Sequence, residues 1–152
     1  MALAVPPQAL RGLVVLLAGL LARQQRRAPI SRIGATEKGP FAHAVVHGNT
    51  VYLSGVTAQA DGEPISEKDS AEEQTRRVLA VIDRRLALAG TDKTRLLQAT
   101  CWLKDIVRDA EGMNKAWADW VGPPSLKPVR ATVESKLAKP AMLVEIQVTA
   151  AR

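Results

Sequence analysis

The sequence predicts an α+β domain in which two helices pack on one face of a mixed sheet. Two segments, residues 70–89 and 109–122, have helical periodicity, and several shorter segments are rich in β-branched residues. The predicted order is strand, strand, helix, strand, helix, strand, strand. Helices placed between strands in this way pack against one sheet. The other face of the sheet then lacks a helical cover, and we expect further copies of the chain to bury it.

The first helix is predicted from its ends and its apolar face. Ser70 and Glu73 have the spacing of a capping box, and Gly90 provides a left-handed C-terminal cap. Between these ends, one face is formed by Thr75, Val78, Leu79, Ile82, Leu86 and Ala89. A long amphipathic helix with one face toward a sheet follows.

The second helix is predicted to begin with Asp109 as its N-cap and to end at Gly122. Its apolar stripe consists of Met113, Ala116, Trp117, Trp120 and Val121. At helical spacing such tryptophans indicate a core surface rather than a ligand site.

The strands are predicted from turns and alternation. Gly48 and Asn49 interrupt a β-rich stretch at 42–55, which predicts an early hairpin. Residues 96–104 alternate, with Leu97, Ala99, Cys101 and Leu103 on one face. This position makes Cys101 a packing residue rather than a nucleophile. Residues 129–147 are predicted to be a second hairpin, in which position 130 faces position 145.

Charge and composition exclude several classes of function. The formal net charge is +6, but residues 1–36 hold five arginines and no acid, so residues 37–152 carry 16 basic and 15 acidic groups. A nucleic-acid surface would need a basic stripe on the domain itself. The single cysteine excludes an intramolecular disulfide and a cysteine-rich zinc site. His43 and His47 are too far apart along a strand, about 13 Å, to share a metal. We expect neither a metal nor another cofactor.

Residues 1–29 are predicted to be a leader or extension, and residues 30–152 the domain. The ten apolar residues at 13–22 are too few to cross a membrane, which needs about 20. The segment has features of a secretory signal or an arginine-rich transit peptide, or results from a mis-assigned start. We expect a cytoplasmic protein, with targeting to an organelle or export through this leader as the alternative.

Arg130 and Glu145 are the most informative polar residues, because both lie among residues of buried character. They are interpreted either as a surface ion pair, worth about 0–1 kcal/mol, or as a polar pocket. In the pocket, the guanidinium would bind a substrate carboxylate and Glu145 would position a water molecule. Ser54 and Gly55 at a strand end lack the nucleophile-elbow pattern, so their polar groups are expected to contact a ligand.

Several segments together resemble the Rid family of reactive-intermediate imine deaminases, also called RutC-like. They are GPFAHAVVHGNTVYLSG, EQTRRVL, ATCWLKD, MNKAW and PVRATVESKL with LVEIQVTAA. The resemblance covers residues 30–152. It implies a chorismate-mutase-like fold and a homotrimer with sites in the clefts between subunits.

The resemblance also implies hydrolysis of enamines and imines, such as 2-aminoacrylate, to 2-oxo acids and ammonia without a cofactor. Arg130 matches the arginine that binds the substrate carboxylate, and Glu145 the glutamate that orients water. Ser54 matches the pocket serine at a strand end, and Asn114 the helix asparagine near the site. Phe41 stands where well-known members have tyrosine, and Thr132 where some have cysteine.

Two functions from different classes are compatible with these residues. One is the imine deaminase; the other is a trimeric binder or sensor of small carboxylates, or a chaperone-like member, with the same clefts. Loss of a phenolic hydroxyl at Phe41 motivates the second. We expect neither a nucleic-acid partner nor a membrane span.

Overall fold

The computed structural model describes residues 28–152, which form a mixed sheet with two long helices on one face. Single turns of 3₁₀ helix occur at 60–62, 93–95 and 124–126. The helices are α1 (Ala71–Leu88) and α2 (Ile106–Val121), and the strands are β1 (Ile30–Ile33), β2 (Ala44–His47), β3 (Thr50–Leu53), β4 (Val56–Thr57), β5 (Leu96–Leu103), β6 (Val129–Glu134) and β7 (Val144–Ala151). The predicted α+β class and the two helices on one face are confirmed. The short strands β1 and β4 were not predicted.

The strand order is β1-β2-β3-β7-β5-β6, and β4 also pairs with β7. β5 and β6 are parallel, whereas the other pairs are antiparallel. The early hairpin is confirmed, because β2 and β3 pair around a turn in which Gly48 has a φ of 58°.

The predicted hairpin of residues 129–147 is wrong. β6 pairs in parallel with β5, and β5 lies between β6 and β7. Parallel strands need a crossover, and α2 provides it between β5 and β6. The segment after β6 then passes the end of β5, where Ser135 N donates to Leu103 O and Lys104 N donates to Leu143 O. β6 is therefore an edge strand of the sheet, at the opposite end from β1.

The ends of α1 agree with the sequence. Ser70 and Glu73 form the full capping box, and Gly90 follows the helix with a φ of 77°. The start of α2 differs, because Asp105 rather than Asp109 is the N-cap and accepts from Arg108 N. Asp109 is buried in the first turn and is bonded by the Arg108 guanidinium at 2.7 and 2.8 Å. The Asp109 carboxylate is therefore paired with Arg108 and does not cap the helix.

The core lies between the helices and the inner face of the sheet. β7 contributes alternate residues, and so does β5 from Ala99 onward. Leu97 was predicted to lie on this face, but it is 49% exposed. A register shift between Leu96 and Gln98 reverses the alternation there, so Leu96 is buried instead. The largest fully buried apolar side chains are Leu53, Leu79, Ile82, Leu86, Leu103, Met113 and Ile146.

The outer face of the sheet is not covered by either helix. Trp102 of β5 and Glu145 of β7 lie opposite each other on it, and Tyr52 of β3 is 48% exposed. Within residues 28–152, no helix is both long and apolar enough to span a bilayer. The predicted leader lies almost entirely outside the described residues.

Candidate functional site

Arg130 is held by α2 on the inner side of the edge strand. Its position on β6 is in register with the buried Ala99, so its side chain is on the face that the helices cover. The guanidinium donates a 2.6 Å hydrogen bond to Oδ1 of Asn114, and its carbon lies 5.1 Å from the centre of the Trp117 ring. Among the described residues it forms no ion pair. Arg130 therefore presents an oriented positive charge that is free to bind an anion.

Glu145 lies on β7, next to the Ser54–Gly55 corner that follows β3. A Cβ atom at Gly55 would be 2.0 Å from Oε1 of Glu145, so only glycine permits this approach. The partly buried carboxylate accepts no side-chain hydrogen bond from the rest of the described chain. Glu145 is thus a positioned acceptor with free lone pairs.

Arg130 and Glu145 do not meet within one chain. Arg130 is in register with Ala99 and Glu145 with Trp102, three positions along the same intervening strand. An odd number of positions places the two side chains on opposite faces of the sheet. Two strand spacings and three residues separate their backbones by roughly 14 Å. The expected pairing of these residues on one face is therefore wrong for a single chain.

The sequence-predicted residues instead form two separate groups. Asn114, Arg130 and Thr132 form the first, which we name the β6 half-site. Phe41, Ser54, Gly55 and Glu145 form the second, named the β7 half-site. Thr132 lies two positions after Arg130 on the same face of β6. Each half-site holds one of the two charged residues.

The β7 half-site borders a cavity of about 450 Å³. Phe41, 62% exposed, and Gly55 line it together with His43, Thr57, Gln59, Asp61, Arg85 and Met142. The Ser54 hydroxyl is already engaged, because it donates to His43 O at 3.3 Å and accepts from Arg85 at 3.3 Å.

Arg85 was missed by the sequence analysis. It projects from α1, is 6% exposed, and also donates to Oδ1 of Asp61 at 3.4 Å. Its position is three residues after Ile82 and seven after Val78, both on the apolar face of α1. A cation at that helical phase was the signal that could have identified it.

Cys101 is a core residue, as predicted. It is fully buried, and burial raises the pKa of its thiol to about 11, although the Arg130 cation acts in the opposite direction. A thiol with so high a pKa is a poor nucleophile at neutral pH.

A larger cavity of about 680 Å³ lies at the N-terminal end of α1 and holds none of the predicted site residues. Its charged lining mixes acids with Lys104 and Arg108, and Arg108 is paired with Asp109. Across residues 28–152, no three histidine, cysteine, aspartate or glutamate side chains are grouped to hold a metal ion.

Comparisons with known proteins place this architecture in a family. Residues 30–152 match the family model described as Endoribonuclease L-PSP. The RutC family protein YoaB of Escherichia coli is 39% identical over 122 residues, which cover 80% of this chain and 97% of that protein. The crystal structure of NMB1025 from Neisseria meningitidis, a member of the YjgF family, aligns with a TM-score of 0.72 at 37% identity, over 84% of this chain and 98% of that one.

A third relative belongs to the Rid family by its description. The structure of YyfA from Yersinia pestis, of the conserved Rid family, aligns with a TM-score of 0.70 at 29% identity, over 82% of this chain and all 100% of that one. Two helices on one face of a mixed sheet are the architecture that these proteins share with this chain. The chain belongs to the RutC/YjgF family, which includes the Rid proteins.

Proposed function

We propose that the protein is a deaminase that hydrolyses small 2-imino acids and their enamines to 2-oxo acids and ammonia. The observation that carries this proposal is the division of the candidate site into two complementary half-sites, one with a guanidinium and one with a carboxylate that form no ion pair within residues 28–152. Membership of the RutC/YjgF family supports it.

The working site is formed between two copies of the chain in a homotrimer. Arg130 lies on the edge strand, so it is available to a neighbouring copy. The uncovered outer face, which includes Tyr52 and Trp102, provides a surface for assembly. In this arrangement the β6 half-site of one protomer faces the β7 half-site of the next.

The reaction needs little from the protein because the carbon of an imine is already electrophilic. Arg130 binds the substrate carboxylate through a bidentate pair of hydrogen bonds. Glu145 holds a water molecule about 3 Å from the imine carbon and accepts its proton as the C–O bond forms. Glu145 then returns this proton to the nitrogen, and the C–N bond breaks as the hydroxyl group loses its own proton to the carboxylate and becomes the carbonyl, which releases ammonia and the 2-oxo acid.

Intersubunit complementation tests both the chemistry and the assembly. The Arg130→Ala and Glu145→Ala proteins should each lose at least about a hundredfold in kcat/KM. The first lacks the cation that binds the substrate carboxylate, and the second lacks the carboxylate that holds the water molecule. Arg76→Ala, in an exposed arginine of α1 outside both half-sites, is the matched control and should retain full activity. The substrate is 2-aminoacrylate generated by a pyridoxal-phosphate dehydratase.

When the two inactive proteins are unfolded together and refolded at equal concentration, about a quarter of the interfaces of a random trimer contain two intact half-sites. Recovery of a corresponding share of wild-type activity is expected. Wild-type protein that does not accelerate the reaction over spontaneous decay would remove the deaminase proposal. If the wild type is fully active but the refolded mixture of the two variants recovers no activity, the proposal of a shared site is overturned.

The second candidate is a binder or sensor of small carboxylates without turnover. One observation favours it: the β7 half-site contains no free hydroxyl donor, since Phe41 has none and the Ser54 proton is donated to His43 O. A 2-oxo acid that raises the melting temperature of a protein without deaminase activity would select this candidate.

Nuclease activity, which the family description names, is not favoured by the charge of the domain. Residues 37–152 carry only one more basic than acidic group. Cleavage of RNA that persists in an Arg130→Ala protein free of contaminating nuclease would reverse this view.

A further inference from the structure

Arg85 is a buried cation at the edge of the candidate site. Its side chain is 7% exposed, yet its best ionic partner, Asp61, is 38% exposed and lies at 3.4 Å. Asp61 makes the shorter bond, 2.9 Å, to Arg84, whose side chain is 57% exposed. Burial of a guanidinium is costly unless close partners compensate. The structure gives Arg85 only weak compensation.

The hydrogen bonding of Arg85 is also incomplete. A guanidinium has five N–H donors, but here it makes two long bonds, to Ser54 Oγ at 3.3 Å and to Asp61 at 3.4 Å. Nε is buried and has no hydrogen-bond partner within residues 28–152. Buried donors are nearly always satisfied, so an exception needs a physical explanation, and a bound anion would supply one.

The cavity beside Arg85 is continuous with the β7 half-site, because Gly55 and Phe41 line it too. The charged and titratable groups around it are Arg85, Asp61, His43 and, through contact with Gly55, Glu145. Arg84 neutralises Asp61 from the solvent side. The charge of Arg85 is therefore available within the cavity.

We propose that Arg85 forms a second carboxylate subsite, so that the preferred substrates are dicarboxylic 2-imino acids. The inference rests on the deaminase proposal and extends it. Arg130 of one protomer binds the carboxylate next to the imine carbon, and Arg85 of the neighbouring protomer binds the carboxylate at the other end. The cavity of about 450 Å³ has room for the short chain that joins the two groups.

The kinetic test compares a dicarboxylic with a monocarboxylic imine. Amino-acid oxidases generate 2-iminoglutarate from glutamate and 2-iminopropanoate from alanine, and the release of 2-oxo acid is followed. We expect Arg85→Met to lower the ratio of kcat/KM for the dicarboxylic over the monocarboxylic imine by about ten- to a hundredfold, the value of a charge-assisted hydrogen bond. Arg76→Met is the matched control and should keep the wild-type ratio, since Arg76 is an exposed arginine of the same helix that neither lines the cavity nor contacts Asp61.

A binding test is independent of turnover. Calorimetry with 2-oxoglutarate and 2-oxobutanoate should show a preference for the dicarboxylate in the wild type and in Arg76→Met, and loss of this preference in Arg85→Met. Arg85→Lys keeps the charge but not the fork, so it should lose part of the preference. If Arg85→Met does not fold, the preference of Arg85→Lys for the dicarboxylate tests the subsite in its place.

The outcomes separate the subsite from the deaminase. Equal preference in the wild type, Arg85→Met and Arg85→Lys overturns the subsite, and Arg130-dependent turnover of 2-iminopropanoate then leaves the deaminase proposal intact. Arg85-dependent binding of 2-oxoglutarate without turnover of either imine supports the subsite and overturns the deaminase. An equal loss of preference in Arg76→Met and Arg85→Met overturns the subsite, because the preference then depends on general charge.

Discussion

The guanidinium of Arg130 and Oδ1 of Asn114 are joined by a hydrogen bond of 2.6 Å between β6 and α2. Trp117, one turn further along α2, lies 5.1 Å from the same guanidinium. The helix therefore fixes the direction of a side chain that belongs to the exposed edge of the sheet. Orientation of this kind lowers the entropy that a bidentate contact to a carboxylate would cost.

Replacement of Asn114 by leucine should weaken substrate binding more than it weakens the fold. Loss of one hydrogen bond to a charged group costs about 1.5–3 kcal/mol, so we expect KM to rise about tenfold or more. Steady-state kinetics and urea unfolding measure the two effects. The control is Glu111→Gln, at an exposed position on the same helix. A KM that remains at the wild-type value would show that Arg130 is oriented without Asn114.

Gly55→Ala should inactivate the protein while leaving it folded. The new Cβ would lie 2.0 Å from Oε1 of Glu145, and a flexible side chain can rotate away from it. Rotation moves the carboxylate from its position, so kcat should fall to the level of Glu145→Ala. The free energy of unfolding should change by about 1 kcal/mol or less. In the Glu145→Ala background, Gly55→Ala should have no further effect on kcat. An additive loss would show that Gly55→Ala does not act through the position of Glu145.

Stability should decline in acid in part through Asp61. A hydrogen bond from Arg84, together with the charge of Arg85, lowers the pKa of Asp61 below its usual value, although burial acts in the opposite direction. A group with a lowered folded-state pKa stabilises the fold above its unfolded pKa, near 3.9 for aspartate, and this contribution is lost as the pH falls through the folded pKa. Asp61→Asn should therefore show a smaller fall in melting temperature below about pH 4 than the wild type.

The matched comparison for Asp61 is the double variant Asp61→Asn/Arg84→Met. Its melting temperature should follow pH as that of Asp61→Asn does, because Arg84 acts through the carboxylate. A steeper dependence in the double variant would assign the effect to another group.

The assembly prediction concerns the outer face of the sheet. Light scattering should give about three times the chain mass of 16.3 kDa. Tyr52→Glu, on the exposed side of β3, should dissociate the assembly because a buried unpaired charge is costly. Glu111→Gln serves here as the control. A wild-type monomer at micromolar concentration would exclude a shared site.

Local signals in the sequence were sufficient for the elements with clear ends. α1 was predicted within one residue because Ser70, Glu73 and Gly90 act on their immediate neighbours. α2 was predicted to start too late, since Asp105 and Asp109 lie one helical turn apart and both have the side chain of an N-cap.

Pairing of distant strands could not be predicted in the same way. The alternating patterns of β6 and β7 fit a hairpin as well as they fit the observed pairing. It is the crossover through α2 that makes β6 parallel to β5, so that β5 lies between β6 and β7. Arg130, Glu145, Ser54 and Gly55 were proposed as candidate site residues from the sequence itself, and the family resemblance added the other positions. The separation of these residues into two half-sites depends on this strand pairing. Arg85 was missed although its helical phase places it on the apolar face of α1, because one arginine is a weaker signal than the apolar residues around it.

Arg130 and Glu145 lie on opposite faces of the sheet, and this arrangement affects how defective copies of the chain lower activity. If every reaction centre combines one residue from each of two neighbours, each polypeptide serves two centres of its ring. A copy that is defective in both groups would then silence two centres of three, so mixed populations would lose function faster than the fraction of defective copies.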